Sequence, residues 1–278
     1  MKKLFTALLF ISISFVSYAN EIEENIAEFA AGLIPGEGHT EVSIDIRENV
    51  GPDYSILAVR EIAPLDDGNI FTQFSLFSTE KNDDERIVGN LGLGSRKLFN
   101  NNTIMIGVNN FYDVDFGEEH VRTSLGVEAR SAVLEFYANR YVGLADGYNE
   151  EHVLDGWDYN LSSQIPFLHW AKAFMNSYEW EGVNRADVRG TKSGAEMRLT
   201  SNLNLTVAHD DKKTTDDEWY SKLEFFHPGK EGPTMLDGAS DTIWKEEKDM
   251  SGELLSKVSR HNKIMVEFKA GATISRTD

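Results

Sequence analysis

The residues of this chain that could do chemistry are its histidines and its many carboxylates, and their spacing limits what they can do. His39, His120, His152, His169, His209, His227 and His261 are scattered, and none stands four residues from another as a helical metal pair requires. Asp113, Asp115, Glu118 and Glu119 crowd one stretch. The Asp-x-Asp-x-Gly run from Asp113 to Gly117 lacks the third oxygen position and the distal glutamate of a calcium loop. It reads as an acidic, solvated loop, as does the stretch from Asp210 to Glu218. No Gly-x-Ser-x-Gly elbow occurs, and the absence of cysteine removes thiolate nucleophiles, thiolate metal sites and disulfides. The expectation is a protein that is not an enzyme and carries no cofactor and no metal.

The elements that position these residues come next. The chain has 278 residues, with 27 Lys and Arg against 46 Asp and Glu, for a net charge of −19. That balance speaks against nucleic acid or an anionic lipid surface as a partner, because both need a basic patch. The first residues read as a cleavable signal peptide over 1–19: Lys2 and Lys3, an apolar run from Leu4 to Val16, then Ser17-Tyr18-Ala19. That run is too short for a spanning helix. Ile22, Ile26, Phe29, Ala30 and Leu33 form one stripe of an amphipathic helix, ended by Pro35 and Gly36, so residues 20–38 are expected to be a short helix before the main domain.

From Thr40 to about Phe226 the helical period gives way to a period of two. Val42, Ile44 and Ile46 alternate with Glu41, Ser43, Asp45 and Arg47, and Leu203, Leu205 and Val207 form another apolar row. Such alternation puts each set on its own face of a sheet. Twelve segments are expected, starting near Thr40, Tyr54, Ile70, Arg86, Thr103, Val121, Val133, Trp157, Trp170, Thr191, Leu203 and Trp219. A soluble sandwich buries the apolar face, whereas a membrane barrel turns it to lipid and lines its lumen with the polar one. Alternation alone does not separate the two.

Three further features favour the barrel. Glycines (Gly92, Gly94, Gly107, Gly126) recur on the polar face, as a crowded inner wall requires. Short turns (64–68, 100–102, 130–132 and 200–202) interleave with longer connections at 143–155, 180–190 and 210–217, as in outer-membrane barrels. Phe99, Phe111, Tyr112, Phe116, Trp157, Trp170, Trp180 and Phe226 stand near strand ends, where interfacial girdles form. The expected fold class is all-β, a twelve-stranded antiparallel transmembrane β-barrel over residues 39–228.

Several stretches resemble the membrane domain of the intimin/invasin family, the inverse autotransporters. Arg86-Ile-Val-Gly-Asn90-Leu-Gly92-Leu-Gly94-Ser-Arg96 is similar to that family's glycine-rich strand, and Gly107-Val-Asn109-Asn-Phe111-Tyr112-Asp113 to its Gly-x-Asn-x-Phe-Tyr-Asp motif. Arg122 with Gly126-Val-Glu128, Asn139-Arg-Tyr141, and Gly156-Trp157-Asp158 followed by Pro166 come in the same order. Beyond the last strand, Met250-Ser-Gly252, Val258-Ser-Arg260-His-Asn262 and Glu267-Phe268-Lys269 resemble the segment that joins barrel to passenger. The resemblance implies a C-terminal linker (229–278) passing outward through the pore, insertion with the help of barrel-insertion machinery and periplasmic chaperones, and a link to adhesion. With the sequence reaching only to Asp278, the expectation is a tail without an Ig-like domain of about 100 residues.

Inward-facing candidates follow from the polar rows: Arg86, Asn90, Arg96, Asn109, Asp113, Arg122, Glu128, Asp158, Glu196 and Arg198. The tail's Lys257, Arg260, Lys263 and Glu267 could pair with them. Two functions compete: a translocator of its own tail, with outer-membrane lipid as solvent and a surface ligand still to be named, or a structural or channel barrel plugged by that tail.

Overall fold

The computed structural model describes residues 32, 34–48, 51–81, 84–147, 151–213, 216–245 and 249–268. The expected signal peptide lies outside these residues, as do 20–31 and 33 of the expected pre-barrel helix and Lys269. Of that expected helix, 34–37 are not helical and Gly38 already opens the first strand, as Pro35 and Gly36 dictate.

The described chain contains the strands β1 (Gly38–Arg47), β2 (Asp53–Leu65), β3 (Gly68–Lys81), β4 (Asp84–Phe99), β5 (Ile104–Asp115), β6 (His120–Ser131), β7 (Leu134–Asp146), β8 (Glu151–Val153), β9 (Gly156–Ile165), β10 (Leu168–Trp180), β11 (Val188–Arg198), β12 (Leu203–Lys212), β13 (Glu218–His227) and β14 (Val266–Phe268). β1–β7 and β9–β13 form a closed antiparallel barrel of twelve strands, sealed where Thr40 of β1 meets His227 of β13. β8 and β14 pair only with each other. Closure leaves the wall no open edge, a necessity in hydrocarbon, where an unpaired backbone group costs several kcal/mol.

The alternation expected from sequence is realised with the usual soluble pattern inverted. Along β5, Ile104, Ile106, Val108 and Tyr112 are exposed, whereas Met105, Asn109, Phe111 and Asp113 are buried. Leu125, Leu93 and Leu91 are more than half exposed on the outside, yet Arg96, Arg122 and Asp113 are each 0% exposed inside. A sandwich core does the reverse, so this wall turns its apolar face outward to lipid.

Connections at the end where the barrel begins and ends are tight, for example Leu65 to Gly68 and Ile165 to Leu168. Those at the other end include 147–155 and 181–187, although the β3–β4 and β5–β6 links are short as well. Short turns mark the periplasmic side of such barrels.

Two expectations need correction. Asp113 and Asp115, expected in an acidic, solvated loop, lie in β5 and are buried, because the inward row of the strand runs through both. Phe111, Trp180 and Phe226 are buried inside the wall and do not belong to an outer girdle. Period two forces this for Phe111, because its neighbour Tyr112 takes the outward position. Phe99, Tyr112 and Phe116 are exposed.

Candidate functional site

The inner wall is a polar surface with apolar patches, and residues 249–268 are in contact with it from one end to the other. At the turn end Met250 packs on Leu98 and Met105, with Leu254 beside them. Asp249 caps this turn by accepting from the Ser251 amide (2.8 Å), and the Met250 amide donates to the Asn102 carbonyl (2.8 Å). Arg96 then takes hold of the main chain, donating to the carbonyls of Leu254 (2.8 Å) and Ser256 (2.6 Å). Glu128 fixes that guanidinium from below at 2.6 Å, and the Phe71 ring lies 4.3 Å from its centre.

At mid-height Val258 inserts among Leu57, Val59, Phe71 and Phe111. These rings have room because Gly92 and Gly94 stand opposite: a Cβ on either would collide with Phe111 or Phe71. The Val258 amide donates to Gln73 (2.8 Å), and Asn139 donates to the Ser259 carbonyl (3.0 Å). Lys257 reaches Glu41 (3.1 Å) and Glu224.

Asp113 is the hub of the lumen. Its carboxylate accepts from both terminal nitrogens of Arg260 (3.0 and 2.7 Å), from Arg122 Nε (2.9 Å) and from Asn90 (2.8 Å). Asp113 and Arg122 face each other directly across β5 and β6, so the pair is built by strand register. Arg122 also donates to the carbonyls of His261 (2.7 Å) and Lys263 (2.9 Å), and Asn90 to that of Asn262 (3.0 Å). Tyr141 accepts from the His261 amide at 2.7 Å while its hydroxyl leans on Asp158.

At the loop end Lys263 meets Asp53, and β14 pairs with β8. β8 is held to the wall through Glu151, 3.0 Å from Arg86 and 3.5 Å from His120. The Glu267 carboxylate accepts from the backbone amides of Val183 (3.1 Å) and Asn184 (2.6 Å) in the β10–β11 loop. Burial alone would raise the Glu267 carboxyl, but these amides outweigh it and hold the group below its ordinary value.

The expected lining residues fall into two groups. Asn90, Arg96, Asp113 and Arg122 contact the segment directly, whereas Glu128, Asp158 and Arg86 act through a neighbour. Asn109 is buried in the wall. Glu196 and Arg198 border a cavity of about 330 Å³ that remains on the β9–β13 side, together with Lys172, Lys192 and Lys222. Glu196 there accepts from Asn204 (2.7 Å), and Arg198 donates to the Glu231 carbonyl (2.7 Å). Of the linker motif, Val258, Arg260 and Asn262 sit in the lumen, Glu267 at the mouth, and Phe268 outside with 44% exposure. Gln73 stands with Asn69, which donates to the Leu254 carbonyl (3.3 Å), in the same period-two row of β3, but their residue types carry no mark of this role. The amides of Val183 and Asn184 leave no trace in side-chain identity.

Comparison with known proteins bears on this architecture. The sequence matches the family described as inverse autotransporter, β-domain, over residues 15–262. An attaching and effacing protein homolog of Escherichia coli K12 is 27% identical over 192 residues, covering 54% of this chain and 63% of that protein. The inverse autotransporter adhesin YeeJ of the same strain is 25% identical over 219 residues, 73% of this chain and 9% of YeeJ. The chain thus spans less than two thirds of either relative. A membrane-protein structure from work on in-meso crystallisation aligns with 83% of this chain and all of its own, at TM-score 0.65 and 16% identity, a likeness of fold alone. An outward apolar wall closed by twelve strands, and a family match running through nearly all of it, lead to one assignment: the chain is an outer-membrane β-barrel and belongs to the inverse autotransporter β-domain family.

Proposed function

We propose that this barrel is a translocator that carries its own C-terminal segment through the lumen to the cell surface, in the service of adhesion. One observation carries the reading: the wall binds the main chain of the segment. Arg96, Arg122, Asn90 and Asn139 donate to its carbonyls, while Gln73 and Tyr141 accept from its amides. A stretch without a strand neighbour leaves these groups unpaired, and each unmet one costs about 1–3 kcal/mol. A lumen that answers main-chain groups with side chains is suited to holding polypeptide. Translocation of this kind needs no nucleotide, cofactor or catalytic residue, and insertion of the barrel into lipid would rely on the cell's assembly machinery.

The competing reading is a lodged plug, favoured by the ion pairs of Lys257, Arg260 and Lys263 with the wall. A protease-cleavable tag placed after Asp278 separates the two. Export predicts cleavage on intact cells. Cleavage only after the outer membrane is opened would reject export and leave the plug.

A further inference from the structure

We infer that the β10–β11 loop is a carboxylate-binding catch that sets the axial register of the segment by seizing Glu267. The inference deepens the translocator reading and rests on it: a segment that slides through a pore needs something to define where it stops.

The main-chain contacts inside the lumen do little to define that position. They address carbonyls and amides, which repeat at every residue, so a shifted segment would present the wall with the same kind of partner. The apolar contact of Val258 is more selective, since a slip of two residues would bring Ser256 or Arg260 into its place among Leu57, Val59, Phe71 and Phe111. Side-chain-specific contacts are what distinguish one register from its neighbours: Lys257 and Lys263 each set a single ammonium against wall carboxylates, and two further contacts are geometrically more demanding. Arg260 docks bidentately on Asp113, and seven residues further on Glu267 docks on two consecutive amides.

The second contact is built for an anion. Val183 and Asn184 point successive N–H groups at the same carboxylate, one oxygen each, at 3.1 and 2.6 Å. Successive amides converging on one point form a nest, a concavity that favours negative charge. The loop is braced for this: Gly182 donates to Asp187 at 3.0 Å, closing a tight turn around the two donors. Glu267 itself is only 7% exposed, although it lies at the mouth. A slip of two residues would offer the nest Met265 or Lys269 in place of Glu267, and neither side chain supplies an anionic acceptor. Opposite Glu267, β14 pairs with β8 through Val266 and Val153. The emerging chain is therefore gripped from two sides, by an edge pairing that is tolerant of register and by a nest that is not.

The absence of cysteine makes a direct test available. Val153 and Val266 are opposed in an antiparallel pair, where Cα atoms stand about 4.5–5.5 Å apart, within disulfide reach. Three double-cysteine forms of the full chain are compared in outer membranes: Val153→Cys with Val266→Cys for the native register, and Val153→Cys with Ile264→Cys or Phe268→Cys for slips of two residues. In the parent protein the 153–266 disulfide should dominate. Adding Glu267→Gln keeps the shape but removes the charge, and should lower the native cross-link relative to the slipped ones by roughly five- to tenfold. Val183→Pro deletes one donor and should act in the same direction. Heat-modifiable gel mobility confirms in each case that the barrel is folded. An unchanged cross-link distribution in Glu267→Gln overturns the catch, whatever Val183→Pro does. Failure of the translocator reading looks different: the native cross-link forms, but a tag after Asp278 stays protected on intact cells.

Discussion

Asp113 stands between two guanidinium groups, Arg122 and Arg260, and all three side chains are fully buried. Charges removed from water are tolerable only when paired, and taking away one partner of a buried set costs about 3–5 kcal/mol. Asp113→Asn is therefore expected to lower the stability of the detergent-held barrel by that amount, read as an earlier loss of the heat-modifiable band on warming. Arg189→Ala is the control. Its pairs with Glu179 and Asp187 are surface contacts of a half-exposed side chain, and its loss should change stability by less than about 1 kcal/mol. Equal effects of the two substitutions would mean that Asp113 is not the buried hub described. At this scale the sequence was partly legible. A polar residue in a period-two row announces which way it faces, and that located Asp113, Arg122, Arg96 and Glu128. Partner choice was not legible: nothing in the type of Glu267 points to backbone amides more than eighty residues earlier, and Glu196 and Arg198 look like Arg96 in sequence yet border a cavity.

Strands were the most readable elements, because a wall one residue thick with unlike solvents on its two sides must alternate. The twelve expected starts fall close to the observed ones, for instance Thr103 against Ile104, Trp157 against Gly156 and Leu203 against Leu203. β8 and β14 escaped notice since three residues are too few to display a period. The inward aromatics escaped because nearness to a strand end does not reveal which face a ring takes. Register then makes a sharp prediction. Val108 is 52% exposed and lies midway between Ile104 and Tyr112 on the outward row of β5. On a soluble protein a half-exposed valine exchanged for lysine changes stability by about 0.5 kcal/mol or less. Facing hydrocarbon, Val108→Lys should instead destabilise by about 2–4 kcal/mol. Urea unfolding of the barrel in lipid vesicles measures the difference, and a near-neutral result would contradict the outward lipid face.

For the whole molecule the question is what the lumen becomes without its segment. Residues 249–268 lie against the β2–β7 side and leave about 330 Å³ on the other. Their Lys257, Arg260 and Lys263 neutralise Glu41, Glu224, Asp113 and Asp53, carboxylates drawn from β1, β13, β5 and β2. Deleting residues 249–278 therefore does two things at once: it empties the bore and strips three cations from its wall. Some compensation survives, since Arg122 still faces Asp113, Lys222 still faces Glu224 and Arg47 still faces Asp53. Glu41 keeps His39, 3.2 Å away. The shortened barrel should conduct in planar bilayers well above the full chain, and a wall that has lost three cations from beside its carboxylates favours cations. A salt gradient across the bilayer should accordingly yield a reversal potential of cation-selective sign, and raising ionic strength should weaken that selectivity as the wall charges are screened. Unchanged conductance would mean the segment does not fill the bore, and anion selectivity would mean its lysines and arginine are not what balances the wall.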